Sequence, residues 1–233
     1  MKIILTGCTG FIGGATLARC LAHPSITSIV VLTRRPLQTT HSKLTTIILS
    51  SFLPAGYTPE VITQLKGAEA CIWSMGTPTS GREVHYDFTF AAARTFLENL
   101  RPSALKTGKK PFRFIYVSGF VVERDQQRNL WFMSEARKMR GTVEMGLVAM
   151  EKESEGAFQA VAVRPGYLHR AKMGLPGGLM VSVLPTAWHV AVEEFAAATV
   201  EMGISGDGGH SVENAELKTK GRVALEQIPW SYS

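Results

Sequence analysis

The sequence predicts a doubly wound α/β fold built on a parallel sheet (Rossmann-like), with a small C-terminal lobe beside it. Two observations carry that prediction. The first is the opening stretch, Met1 to Gly14. There a short β-branched run, Ile3-Ile4-Leu5, gives way to glycines at Gly7, Gly10 and Gly13 and then to a helical pattern. The second is the alternation of short apolar runs with helix-length periodic segments as far as residue 167, the mark of successive βαβ units. At 233 residues, with 45% hydrophobic and 19% charged content, the chain suits one domain with a sizeable core. Residues from about 167 to 233 are expected to supply the substrate-side lobe of that single domain.

The elements follow in order. Ala15, Leu17, Ala18 and Leu21 recur at helical spacing after the glycines, and His23-Pro24 stops them. A strand, a G-x-x-G-x-x-G turn and a helix in direct succession suit a dinucleotide. The first glycine permits a tight turn, the second lets a pyrophosphate approach the backbone, and the third lets helix and strand pack closely. The helix N-terminus then offers N–H groups to the phosphates. A plain strand-to-helix turn would not need three glycines at fixed spacing.

Ile29 to Leu32 reads as a second buried strand and ends in Thr33-Arg34-Arg35-Pro36. An NAD site places an acidic side chain near this point to take the ribose hydroxyls. Two arginines stand there instead, and a guanidinium matches a 2′-phosphate in charge and shape, so the pair points to NADP(H). The bland alternative is that both arginines cap a strand in solvent.

Leu44 to Leu49 is a third apolar run. Glu60 to Lys66 is predicted helical and ends at Gly67. Ala70 to Trp73 is a fourth strand, opening into Ser74-Met75-Gly76-Thr77-Pro78. Val84 to Leu100 has long helical periodicity, followed by Pro102 and a basic loop, Lys106 to Lys110. Phe112 to Val117 is a fifth strand delivering Ser118, Ser134 to Met150 an amphipathic helix, and Gln159 to Val163 a sixth strand before Arg164-Pro165-Gly166-Tyr167. Beyond lie a glycine-proline loop (Gly174 to Gly178), a helix from Val190 to Met202, a turn at Gly206 to Gly209 and a polar tail.

The formal charge is +6, and no Asp or Glu precedes Glu60, so the N-terminal quarter is electropositive. Basic residues are not interleaved with aromatics and no nucleic-acid module is recognisable, so an anionic small ligand explains the asymmetry better than nucleic acid. No apolar stretch is long enough to span a bilayer, which argues against a membrane protein. Three widely spaced cysteines (Cys8, Cys20, Cys71) without a C-x-x-C pair read as buried thiols of a cytoplasmic protein, and no cluster suggests a metal.

Taken together, Thr6-Gly7-x-x-Gly10-x-x-Gly13 and the strand ending in Val117-Ser118 resemble the short-chain dehydrogenase/reductases. Met75-Gly76-Thr77 with Gly81, Val84 and Phe88, then Arg140-Gly141-x-x-Glu144, Arg164-Pro165-Gly166-Tyr167-Leu168 and Glu213-Asn214 resemble one atypical branch, the Tat-interacting-protein-like oxidoreductases close to the NmrA-like proteins. The resemblance implies that Gly7, Thr9, Gly10, Phe11, Ile12 and Gly13 cradle the pyrophosphate, and that Arg34 and Arg35 meet the 2′-phosphate. It places Met75 and Gly76 on the adenine-ribose side, and Pro165, Gly166 and Tyr167 on the nicotinamide side. Ser118 matches the serine that polarises a substrate carbonyl. Ser51 stands where relatives carry an aspartate against the adenine. The branch's Tyr-x-x-x-Lys pair falls on Ala136 and Arg140, so the usual phenolic acid is absent, while Arg140 can still hold the nicotinamide ribose.

The substitute acid is then sought nearby, with Tyr167 the first candidate and a packed aromatic its bland reading. His169 and Arg170 are read either as substrate contacts or as solvated loop residues, His189 as a structural histidine, and Tyr86 either as facing the site or as plain helix surface. Met173, Leu179, Met180 and Leu184 suggest an apolar lid over an apolar substrate, or equally a contact in a homodimer. The expected function is an NADP(H)-dependent oxidoreductase acting on a small, mostly apolar carbonyl or alcohol. A non-redox isomerase, cyclase or lyase on the same fold, and a non-catalytic NADP(H)-sensing protein, are the alternatives.

Overall fold

The structure is a computed structural model, and it describes residues 1–77, 80–100, 110–172 and 181–230. The expected glycine-proline loop, all of the basic loop but Lys110, and most of the expected lid (Met173, Leu179, Met180) lie outside those residues.

Seven strands form the main sheet: β1 (Lys2–Thr6), β2 (Ser28–Thr33), β3 (Leu44–Ile48), β4 (Ala68–Trp73), β5 (Phe112–Val117), β6 (Phe158–Arg164) and β9 (Ser211–Glu213). They run parallel in the order β3-β2-β1-β4-β5-β6-β9. The order reverses between β1 and β4, which opens a crevice at their C-terminal ends. A separate parallel pair, β7 (Tyr167–His169) and β8 (His189–Ala191), is the part of the expected lobe that stands off this sheet.

Among the described residues, six longer α-helices cover the two faces. They are α1 (Phe11–Ala22), α2 (Pro59–Leu65), α3 (Phe88–Leu100), α4 (Ser134–Glu153), α5 (Val192–Ser205) and α6 (Asn214–Gln227). Because side chains alternate along a strand, each central strand feeds both layers. Ile4, Cys71, Phe112, Phe114 and Tyr116 pack under α3 and α4, in a layer rich in aromatic rings. Ile3, Leu5, Ile72 and Ile115 pack with Leu17 of α1 and with Phe195 and Ala198 of α5.

Three segments differ from the sequence expectation. Val190 and Ala191 belong to β8, and α5 starts only at Val192, where Glu194 accepts the Ala191 N–H and caps the turn. The polar tail contains β9 and α6. That helix buries only Asn214, Leu217, Gly221 and Ala224, too few apolar residues to mark its stripe in the sequence. It is held from below by Arg19, a fully buried arginine of α1 that donates to the carbonyls of Ala224 and Ile228 at its C-terminal end. The long periodic segment after the fourth strand begins as a π-turn, Glu83–Asp87, ahead of α3. Such turns recur at functional sites.

Candidate functional site

The crevice at the β1/β4 switch point holds a cleft of about 210 Å3 lined by Gly7, Thr9, Gly10, Thr33, Arg34, Arg35, Phe52, Met75 and Gly76 among others. Among the described residues, no Asp or Glu lines it. The floor is built by backbone approach. Gly7 adopts φ +68, and the Gly10 N–H bonds its carbonyl at 2.9 Å. A Cβ on Gly13 would collide with the Gly7 carbonyl and lie 2.8 Å from the Cys8 nitrogen, so glycine is required there for α1 to sit against the turn. Ser74 stitches the two strand ends together: its Oγ donates to the Thr6 carbonyl at 2.6 Å and its N–H to Thr6 Oγ1 at 3.1 Å.

The first turn of α1 has neither a capping side chain nor an acidic residue. Its N–H groups and the positive end of its dipole face the glycine turn, an arrangement suited to phosphate. Arg34 and Arg35 are exposed at the end of β2 on the same cleft, and Thr33 Oγ1 accepts the Arg35 N–H at 3.2 Å, which fixes the bend that presents them. Phe11 is 44% exposed beside the turn, whereas Ile12 packs inward with the α1 layer. Ser51 does not line the cleft; its Oγ accepts the Leu53 N–H at 3.1 Å, and Phe52 lines the cleft in its place.

The Met75–Thr77 turn is braced by a residue the sequence did not single out. His85, 4% exposed, donates through Nε2 to the Thr77 carbonyl at 2.8 Å. Gly76 makes room for that ring: at φ +101, a Cβ would lie 3.0 Å from His85 Nδ1. Burial, with the nearby Arg140 cation adding to it, holds the His85 pKa below its ordinary 6.5, against the opposing pull of the Thr77 bond. Folded His85 therefore binds protons less readily than unfolded His85. Its contribution to stability is present above about pH 6.5 and is lost as pH falls below that value. Melting temperatures measured between pH 7 and 5 should fall, and His85→Gln should flatten the decline. An unchanged slope in that variant would contradict this role.

Further along the strand ends, Ser118 sits at the end of β5, and its Oγ donates to Glu144 Oε1 at 2.7 Å. Glu144, from α4, is fully buried and accepts from Arg124 Nε at 2.8 Å, Arg164 Nε at 2.9 Å and Arg164 Nη2. Burial pushes its pKa up, but the bonds from Arg164, Ser118 and Arg124 outweigh this and hold the carboxyl below its usual range. Arg164 also reaches Glu213 at 2.8 Å. The serine hydrogen expected to polarise a carbonyl is thus engaged by Glu144.

Arg140 lies one turn before Glu144, half-buried, with Nη2 3.5 Å from the Thr77 carbonyl. It bridges the cleft and the Ser118 end. Ala136 presents only a methyl, as the sequence implied. Pro165 is buried. The Gly166 N–H donates to Asn214 Oδ1 at 2.7 Å, while Asn214 Nδ2 donates to the carbonyls of Ala187 and His189. Buried Asn214 therefore locks the turn after β6 to β8. Tyr167 is 46% exposed, and its hydroxyl has no partner among the described residues. His169 Nδ1 donates to the Arg170 carbonyl at 2.9 Å, and its Nε2 meets His189 Nδ1 at 3.0 Å.

The cleft thus gathers Gly7, Thr9, Gly10, Arg34, Arg35, Met75 and Gly76. Ser118, Arg140, Pro165, Gly166 and Tyr167 lie along the neighbouring strand ends. The sequence signals for Glu144 and Asn214 were the G-x-x-E and E-N motifs; nothing in the sequence alone marked His85 as buried.

No family model matches the chain. It is 29% identical over 187 residues to the leucinostatins biosynthesis cluster protein T of Purpureocillium lilacinum; that match covers 72% of this chain and 65% of the relative's length. Among solved structures, the reductase domain of PhqB from Penicillium fellutanum superposes with a TM-score of 0.62 at 16% identity, covering 92% of this chain and 68% of that one. A short-chain dehydrogenase/reductase from Serratia marcescens gives 0.64 at 11% identity, covering 90% and 94%. MoeE5, solved with UDP-glucuronic acid and NAD, gives 0.59 at 14%, covering 98% and 82%. The chain has the Rossmann-like fold found in short-chain dehydrogenase/reductases.

Proposed function

We propose that the protein is an NADP(H)-dependent oxidoreductase acting on a small, mostly apolar carbonyl or alcohol. The observation that carries this reading is the pair Arg34 and Arg35 on an acid-free cleft, beside a glycine turn and an uncapped helix N-terminus. When bound there, the nucleotide would supply or accept the hydride. Gly7, Gly10 and Gly13 leave the space its pyrophosphate needs, Arg34 and Arg35 would bind the 2′-phosphate, and Arg140 would hold the ribose beyond Thr77. Pro165, Gly166 and Tyr167 would border the nicotinamide.

An apolar substrate is supported by the surroundings of Ser118. Phe120 and Trp188 pair with ring centroids 6.3 Å apart, and Val121, Phe132 and the 97% exposed Trp131 continue the apolar surface. Arg137 ties this stretch together by donating to the carbonyls of Val121 and Phe132. Exposed aromatic surface on this scale beside a crevice suits ligand or partner binding.

A panel of apolar alcohols and carbonyls, each followed for both substrate conversion and NADPH change, tests the reading. Stoichiometric change of the two supports it; NADPH binding without any NADPH change across the panel contradicts redox chemistry. The absent phenol at Ala136 favours one second reading, a non-redox isomerase, cyclase or lyase, whose signature is conversion at constant NADPH.

A further inference from the structure

The hydrogen-bond arithmetic at Ser118 restricts what it can bind. A serine hydroxyl has one hydrogen, and here it lies on Glu144 Oε1 at 2.7 Å. Glu144 cannot return one. Its carboxyl is enclosed, with no exposed side-chain surface, and two guanidiniums bond it: Arg124 through Nε at 2.8 Å and Arg164 through Nε at 2.9 Å and Nη2. An ionised carboxylate only accepts, so Ser118 must donate to it and keeps only lone pairs for a ligand.

Donating to a substrate carbonyl instead would break a charge-assisted bond and leave a buried carboxylate one donor short. No phenol on α4 compensates, because Ala136 stands one turn before Arg140.

We infer that Ser118 receives a hydrogen-bond donor, the hydroxyl of an alcohol, and discriminates against a bare carbonyl, with Glu144 as the positioning residue that sets this preference. The inference rests on the Ser118 end of the strands being the substrate site proposed above. It names the alcohol as the ligand that this end of the site matches.

Glu144→Gln tests the mechanism of that preference. With the amide oxygen at the Oε2 position, the bonds from Arg124 Nε and Arg164 Nη2 persist, the bond from Arg164 Nε to the Oε1 position is lost, and the amide N–H group there turns to Ser118. The serine then accepts from the amide and has its hydrogen available for a ketone. Ser118→Ala removes the discriminating group altogether and leaves the arginine–carboxylate pairs in place.

Cyclohexanol and cyclohexanone serve as a matched probe pair, titrated by ligand-observed NMR. The alcohol is measured with NADPH bound and the ketone with NADP+ bound, pairings between which no hydride can move. The expected result is that Ser118→Ala weakens cyclohexanol about tenfold and leaves cyclohexanone within about twofold, and that Glu144→Gln shifts the preference toward the ketone. A merely structural Glu144 would not move that ratio. Should Glu144→Gln fail to fold, Ser118→Ala decides alone. Equal effects on both probes, no effect on either, or binding of neither probe by the cofactor-loaded protein overturns the inference. Failure of NADPH itself to bind would instead overturn the cofactor reading on which it rests.

Discussion

Glu144→Ala is expected to destabilise the protein by about 3–5 kcal/mol, the largest stability loss of any single side-chain truncation in this site. The cost comes less from the lost bonds than from what is left behind. Arg164, with 16% of its side chain exposed and only the exposed Glu213 left to it, and the inner face of Arg124 would keep their charges with no buried counter-ion. Ser118 would lose its acceptor at the same time. Truncating Glu213, the outer partner of Arg164, should cost about 0–1 kcal/mol, because that carboxylate is 52% exposed and water replaces it. Urea denaturation of the two variants checks the contrast; similar losses for both would contradict it.

The pH dependence has a definite sign. The folded pKa of Glu144 lies below its ordinary 4.5, so its contribution is complete above that value and is lost as pH falls through the folded pKa.

Gly13→Ala is expected to abolish cofactor binding and to destabilise the fold by about 1–3 kcal/mol, the usual range for overpacking. The added methyl would collide with the Gly7 carbonyl, which is backbone and cannot rotate away. Either α1 moves off β1 or the Gly7 turn opens, and both displace the N–H groups that the phosphates would meet. Gly14→Ala is the control. Its methyl would meet only the Cys8 carbonyl at 3.5 Å, an ordinary contact, so affinity should stay within about twofold of the native protein. Paired NADPH titrations of the two variants test this, and comparable binding by both would contradict it.

Much of this architecture was legible because its determinants are local. The run Ile3 to Leu5, the glycine spacing and the Arg34-Arg35 dipeptide each state their chemistry within a few residues. The parallel direction of the strands followed from alternation, since parallel neighbours need crossover helices. What was not legible depends on distant partners. The E-N motif marks Asn214, but not that its side chain would tie Gly166 to the β8 carbonyls. Nothing in the sequence marks Arg19 as buried before the C-terminal end of α6 closes over it. Nothing marks His85 as buried before Gly76 vacates the space for its ring. The role expected of Ser118 rested on the serine alone, and only the carboxylate on α4 fixes which way its hydrogen points.

The proposed chemistry requires that the cleft between Gly7 and Arg35 hold NADP(H). The most direct measurement is a pair of fluorescence titrations, NADPH against NADH, on the native protein and on the Arg34→Ala/Arg35→Ala double variant. Each charge-assisted bond from a guanidinium to phosphate contributes roughly 1.5–3 kcal/mol, so the native protein should bind NADPH at least about tenfold more tightly. The double variant should bind both nucleotides at the affinity the native protein shows for NADH. Equal native affinities for the two, or a preference for NADPH that survives loss of both arginines, would contradict the account.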